Sequence, residues 1–325
     1  MAISRNDRAF GISKYGIELQ HTLGGFVSSV SGGEATADVV TERLGSDHLT
    51  KKHLGNVKYE DITFKCGSGM SEQVYQWIAT GFNQTSQSRG REDGAILYAD
   101  YDNNEISRLT WTFGLITEFT MPALDASSKE SAQMTVKFSP ETTRKTWNSS
   151  GKLSFPADSG RQKKWLPSNF RLRIDGCEVG CSKVSKIDAL TVKQKVTDNA
   201  IGEHRDHQKE PTSVEVPNLV IYLAESHADE FFNWHQDFVI SGNCGEEREK
   251  GGTLEYLTPN LQEVLFTLNF YHLGVFKVSP DKASAEPGTP EKGPDAPSPI
   301  RRVKVEMYCE DIKFAFSAAA MYGGR

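Results

Sequence analysis

Apolar positions along the chain recur mostly at every second residue, in short runs rich in Val, Ile, Thr, Phe and Tyr that Gly, Asn, Asp and Pro bound. That period predicts strands. They are expected at Tyr15–Leu19, Asp61–Lys65, Ala95–Ala99, Leu109–Phe113, Ala132–Phe138, Phe170–Ile174, Leu190–Val196, Asn218–Leu223, Leu265–Phe270 and Val303–Phe316. Two segments change period. Ser71–Gly81 and His227–Val239 place apolar residues three and four apart, as in Val74, Trp77, Ile78 and in Phe231, Trp234, Phe238. Ser71 and Ser226 stand where capping residues stand, and each first turn carries acid, so both segments read as short amphipathic helices. A helix with one apolar stripe must bury it, and a sheet supplies the partner. Trp77 and Trp234, with Tyr75 and Phe232, are therefore read as core anchors.

The two helices also reveal a repeat. Ile62 precedes Trp77 by the same fifteen residues that separate Leu219 from Trp234, and Val74 and Tyr75 then fall on Phe231 and Phe232. Downstream, Gly94, Tyr98, Glu105 and Ile106 fall on Gly252, Tyr256, Glu263 and Val264. Upstream, Gly25–Val30 is similar to Gly180–Val184. Each half runs strand, turn, strand, long polar loop, strand, helix, strand, hairpin, strand, final strand. The expected fold is mainly β (α+β): two tandem antiparallel β-sandwich or barrel domains, each with one flanking helix. The expected boundaries are an arm at 1–14, a first domain at 15–141, a linker at 142–168, a second domain at 169–316 and a tail at 317–325. Trp147 and Trp165 stand alone in the linker as two docking points. Residues 279–299 hold six prolines and no large apolar residue, which predicts an extended loop. It is the partner-docking element if the chain is instead a soluble cargo or partner adaptor.

Composition removes several function classes. The chain has 325 residues, with 37 Lys and Arg against 43 Asp and Glu, a net charge of −6. That balance argues against a dedicated nucleic-acid binder. No run of about 18 apolar residues is present to span a bilayer. The polar stretch Met1–Arg8 lacks the apolar core of a signal peptide, so assembly in the cytoplasm is expected. Cys66, Cys177, Cys181, Cys244 and Cys309 are an odd, scattered set, read as thiols, mostly buried. His204 and His207 lack a third metal ligand nearby, Gly67 and Gly69 before a helix lack the Lys of a phosphate loop, and no G-x-S-x-G elbow occurs. No catalytic residue, metal or cofactor is expected.

The first half resembles the tail-tube protein family of contractile phages and phage-like contractile injection systems. The resemblance rests on Gly25–Gly32 (GFVSSVSG), His53–Lys65 (HLGNVKYEDITFK), Leu109–Phe113 (LTWTF), Ala123–Ala126 (ALDA) and Met134–Phe138 (MTVKF). The second half matches more faintly, through Asn169–Gly176 (NFRLRIDG) and Val179–Ser185 (VGCSKVS). A single tube domain is normally a whole protein in this family, and two in one chain is the departure here. The resemblance implies a ring of six domains whose strands close an inner barrel around a lumen, through which DNA or a payload passes without specific binding. Such closure removes open sheet edges. It also implies that the loop Thr41–Val57 reaches an adjacent ring. With two domains per chain, a homotrimer forms a pseudo-sixfold hub or tube-initiating ring joining spike or baseplate proteins to the tail-tube protein. A hexamer in two stacked rings, an ordinary tube subunit and a tube terminator or cap are the alternatives. The charged residues read as inter-subunit or inter-ring contacts are Lys51, Lys52, His53, Glu246, Glu247, Arg301 and Arg302.

Overall fold

Strand period and helix period are both realised in the computed structural model, which describes residues 14–43, 45, 48–81, 90–147, 151–153, 165–281 and 300–321. Residues 1–13 of the expected arm, much of the expected linker, most of the Pro-rich loop and the last residues of the tail lie outside the described residues. The first half comprises β1 (Lys14–Leu19), β2 (Thr22–Val27), β3 (Ser29–Ser31), β4 (Ala35–Glu42), β5 (Lys51–Tyr59), β6 (Ile62–Cys66), α1 (Glu72–Gly81), β7 (Glu92–Ala99), β8 (Glu105–Met121), β9 (Leu124–Asp125), β10 (Met134–Ser139) and β11 (Thr142–Trp147). The second half comprises β12 (Phe170–Ile174), α2 (Glu178–Cys181), β13 (Val184–Ile187), β14 (Leu190–Asn199), β15 (Gln208–Glu215), β16 (Leu219–Ala224), α3 (Asp229–His235), β17 (Lys250–Leu257), β18 (Val264–Pro280) and β19 (Arg302–Phe316).

The two large sheets are antiparallel and run through their strands in one order, and β4–β5 forms a separate two-stranded sheet. The first is β2-β1-β7-β8-β10-β6-β3, and the second is β12-β17-β18-β19-β16-β13-β9. Strand for strand, β1, β7, β8, β10, β6 and β3 correspond to β12, β17, β18, β19, β16 and β13. Register agrees as well as order. Val136 faces Phe64 while Val305 faces Ile221. Thr36 faces Lys58 while Lys193 faces Glu215, with a register shift just beyond in each hairpin. Midway along β8 and β18, Phe113 (φ 50°) and His272 (φ 55°) hold the left-handed conformation that non-glycine residues seldom adopt. Each marks the bulge where the pairing with β7 or β17 shifts, and a bulge bends its strand. One long bent strand per half thus serves several neighbours: β8 pairs with β7, β10, β11 and β14.

The long polar loop expected in each half is a hairpin, β4–β5 in the first and β14–β15 in the second. Position β2 has no strand counterpart in the second half; the short helix α2 stands there, so Gly180 lies in a helix and Val30 corresponds to Ile187 rather than to Val184. Within the expected linker, Thr142–Trp147 is strand β11 against β8. Trp165 is buried against Tyr256 and Phe266, and its carbonyl accepts from the Ala132 amide. Trp147 lies at the surface, 64% exposed.

One apolar cluster runs through both halves. In the first, the Trp77 ring stacks on Trp111 (6.2 Å) and meets Phe138 edge-on (5.1 Å), and its indole N–H donates to the Gly90 carbonyl (2.6 Å). Packing is tight enough that a Cβ at Gly94 would stand 2.4 Å from the Trp111 ring and 2.3 Å from the Glu18 carbonyl. Only a residue without a side chain lets β1, β7 and that indole approach so closely. In the second half, Trp234 packs on Phe238 (6.2 Å) beneath Lys250.

The helix entries differ from the capping expected. The Ser71 carbonyl accepts from Val74 and Tyr75, but its buried hydroxyl has no partner among the described residues. Helix α3 starts after Ala228, with no side-chain cap, and Ser226 sits in a preceding 3-10 turn beside His227. Tertiary burial, not capping, holds both helices in place.

Candidate assembly interface

The junction between the halves is built from strand pairing, ion pairs and aromatic packing. Strand β14 crosses over and pairs with the end of β8: Leu190, Thr191, Val192 and Lys193 face Met121, Thr120, Phe119 and Glu118. The apolar members of this ladder are buried, and the hydroxyls of Thr120 and Thr191 lie 3.0 Å apart. In return, β9 of the first half joins the edge of the second sheet, pairing Lys186 with Asp125 and Ile187 with Leu124. Each half completes the other's sheet, which removes two open edges.

Farther out, the β14–β15 hairpin lies across the first half. Arg91 donates to the Glu210 carboxylate (2.7 Å) and to the Lys209 carbonyl (2.8 Å). The Lys209 amide donates to Glu141 (3.0 Å) and its ammonium to the Ser139 hydroxyl (2.7 Å). The Tyr59 hydroxyl donates to Asp206 (3.2 Å), and burial together with the Asp206 charge raises the Tyr59 pKa. A charged cleft of about 540 Å³ opens beneath the hairpin, lined by Glu118, Lys137, Lys193, Asp198, Lys209 and Glu215 among others. On the far side, Tyr75 of α1 packs against Phe266 and Phe316 of the second half, each at 5.4 Å.

The expected anchors separate into two kinds. Trp77 is 1% exposed, Trp234 7% and Tyr75 0%. Phe232 is 41% exposed and lies outside the buried core of the described residues. The reason is helix phase: Phe231, Trp234 and Phe238 face inward, and Phe232 sits about 100° round the axis from Phe231. Tyr75, at the matching position of α1, is buried because the second half covers it. The expected contact residues Lys51, Lys52 and His53 lie exposed on β5, which pairs only with β4 among the described residues. Glu246 and Glu247 form an exposed 3-10 turn. Arg301 pairs with Glu225 (2.9 Å), and Arg302 opens β19 opposite Ala224.

The chemistry set aside from sequence has structural partners of its own. The Gly69 amide is taken by the Ala320 carbonyl and the Tyr75 hydroxyl. His204–His207 forms the end of the β14–β15 hairpin, with the His207 ring 3.5 Å from the Asn56 side chain. Burial pushes the thiols of Cys66 and Cys181 up to about 12 and those of Cys177 and Cys309 to about 11. One grouping not singled out from sequence has its ligand-type atoms within 4.8 Å: Glu249, His272 and Glu310. Glu249 accepts from the Tyr308 hydroxyl (2.6 Å) and lies 2.8 Å from His272 Nδ1. These residues are far apart in sequence and meet only because β17, β18 and β19 adjoin.

Residues 13–144 match the model of the T4-like virus tail tube protein gp19 family. No curated protein matches the chain. Among solved structures, the tube-terminating cap of the anti-feeding prophage is 22% identical, covers 45% of this chain and 99% of its own, and has a TM-score of 0.37. The sheath-tube complex of the extracellular contractile injection system PVC is 18% identical over 45% and 99%, with a TM-score of 0.38. Hcp1 from Flavobacterium johnsoniae is 17% identical over 44% and 100%, with a TM-score of 0.26. The match to the T4-like virus tail tube protein gp19 family thus runs from β1 through the first half of β11.

Proposed function

We propose that the chain is a structural, non-catalytic component of a contractile phage tail or contractile injection particle, carrying two tube domains in one polypeptide. The observation that carries the reading is that the second sheet, outside the family match, repeats the strand order and bulge positions of the first. The two domains then occupy successive positions of one ring, and three chains supply six domains. A threefold ring built on a sixfold pattern suits a hub or tube-initiating ring, with spike or baseplate proteins on one side and the tail-tube protein on the other. The junction between the halves supports this, since it joins like domains by strand exchange and not by a loose linker contact.

Native mass spectrometry of the purified chain, with symmetry averaging of particle images, tests the stoichiometry. Three copies per ring are expected. Six copies per ring would sink the trimer, and recovery of the protein only from the collar end of particles would assign it to the terminator instead.

A further inference from the structure

The junction uses one face of each half, and the corresponding second pair of faces stands uncovered among the described residues. On the first half these are the β4–β5 hairpin and the end of β11; on the second they are the end of β18, the helix α3 and the ends of β17 and β19. We propose that a second copy of this chain closes this gap, its β4–β5 hairpin and β11 docking on the second half as β14–β15 and β19 dock on the first. The inference deepens the ring reading above and rests on it. Three independent observations carry it.

The first is an open ladder. Register equivalence places Gly33–Thr36 where Leu190–Lys193 stand, and Lys277–Pro280 where Glu118–Met121 stand. Among the described residues β4 pairs only with β5, and β18 beyond Leu273 pairs only with β19. The new ladder sets Thr36 opposite Lys277 and Ala35 opposite Val278, and Pro280, which has no amide proton, ends it.

The second is charge. Lys209 and Glu210 correspond to Lys52 and His53 on β5, and their partners Arg91 and Glu141 correspond to Glu249 and Glu310. The socket is therefore acidic where the incoming hairpin carries Lys51, Lys52 and His53. The Glu249–His272–Glu310 grouping lies at this point. Lys52 meets Glu310, as the Lys209 amide meets Glu141, and His53 meets Glu249, with the signs of the Arg91–Glu210 pair exchanged.

The third is a pair of exposed aromatics. Tyr75 and Phe316 touch inside the chain; their counterparts are Phe232 and Trp147. Both are large rings left at the surface, 41% and 64% exposed, and the docked copy brings them together. Exposed rings at corresponding positions mark an interface core.

The test uses the full chain with Cys244→Ser, the exposed thiol removed. Ala35→Cys with Val278→Cys should give, on mild oxidation, covalent trimers closed head to tail, read on a non-reducing gel and by native mass spectrometry. Glu310→Lys should lower the assembled fraction roughly tenfold, and adding Lys52→Glu to the same chain should restore it, since the exchanged charges attract again. Circular dichroism of each variant checks folding, and the restored double variant shows that loss in the single one is not misfolding. Trimers that form without the cross-link or without charge rescue overturn the contact and leave the ring reading standing. Open cross-linked ladders support the contact and sink threefold closure. Monomers with no cross-link overturn both.

Discussion

The ring of Tyr75, on the helix of the first half, lies 5.4 Å from that of Phe316, near the end of the last strand, and the Tyr75 hydroxyl donates to the Ala320 carbonyl at 3.3 Å. Residues separated by most of the chain thus close the junction. A double-mutant cycle of Tyr75→Leu and Phe316→Leu, followed by urea denaturation, should show coupling of about 0.5–1.5 kcal/mol, the range for packed aromatic pairs. Strictly additive effects would mean that the rings do not share an environment.

Trp77→Ala and Trp234→Ala should each cost about 3–5 kcal/mol, since both indoles fill the space between helix and sheet. Phe232→Ala should leave the isolated chain within about 0.5 kcal/mol of the parent. Chemical denaturation at low protein concentration separates these outcomes, and a large loss at Phe232 would contradict its exposed position.

Arg108 stands between two carboxylates, donating to Glu18 and to Glu105, each at 2.9 Å. Both acids are largely covered, so removing the guanidinium leaves two facing negative charges out of water. Arg108→Ala should therefore cost about 3–5 kcal/mol near neutral pH, the usual penalty for breaking a buried ion pair. Adding Glu105→Gln should recover part of that loss in thermal melts.

The thiols should separate by burial. Cys244, exposed, should react at once with an aromatic disulfide reagent at pH 8, whereas Cys66, Cys177, Cys181 and Cys309 should react only on unfolding. Burial raises the Cys66 thiol from 9.0 to about 12, so the folded state holds that proton more tightly than the unfolded state does. Its contribution to stability is fully present below pH 9 and is lost as pH climbs toward 12. Melting temperatures across that range should fall for the parent, and fall less for Cys66→Ala.

The sequence was legible where one face of an element is buried. Ile62, Phe64 and Cys66 alternate inward, Val74, Trp77 and Ile78 repeat at helical spacing, and both patterns follow from one-sided burial. Hairpin β4–β5 was not legible as strands because nearly all of its residues are exposed, which erases the two-residue period. The polar run Thr142–Trp147 hid strand β11 for the same reason. At the proposed interface, Lys51, Lys52 and His53 could be picked out as an exposed basic run, but Glu249, just before β17, and Glu310, on β19, are far apart in sequence and show no local pattern. Phe232 was misread because aligning two helices fixes residue pairs and leaves open which side a neighbour covers.

The exchange of signs between the two sockets has a counting consequence. Inside the chain, Arg91 receives the acidic Glu210; on the proposed outer contact, Glu249 receives the basic Lys52–His53 run. Two first halves side by side would set Arg91 against that basic run, and two second halves would set Glu249 against Glu210. Like charges oppose both arrangements, so only alternation of the halves is favoured. A circuit that alternates must hold an even number of domains, and a chain inserted out of phase meets repulsion on both flanks. The charge pattern acts as a parity check on assembly.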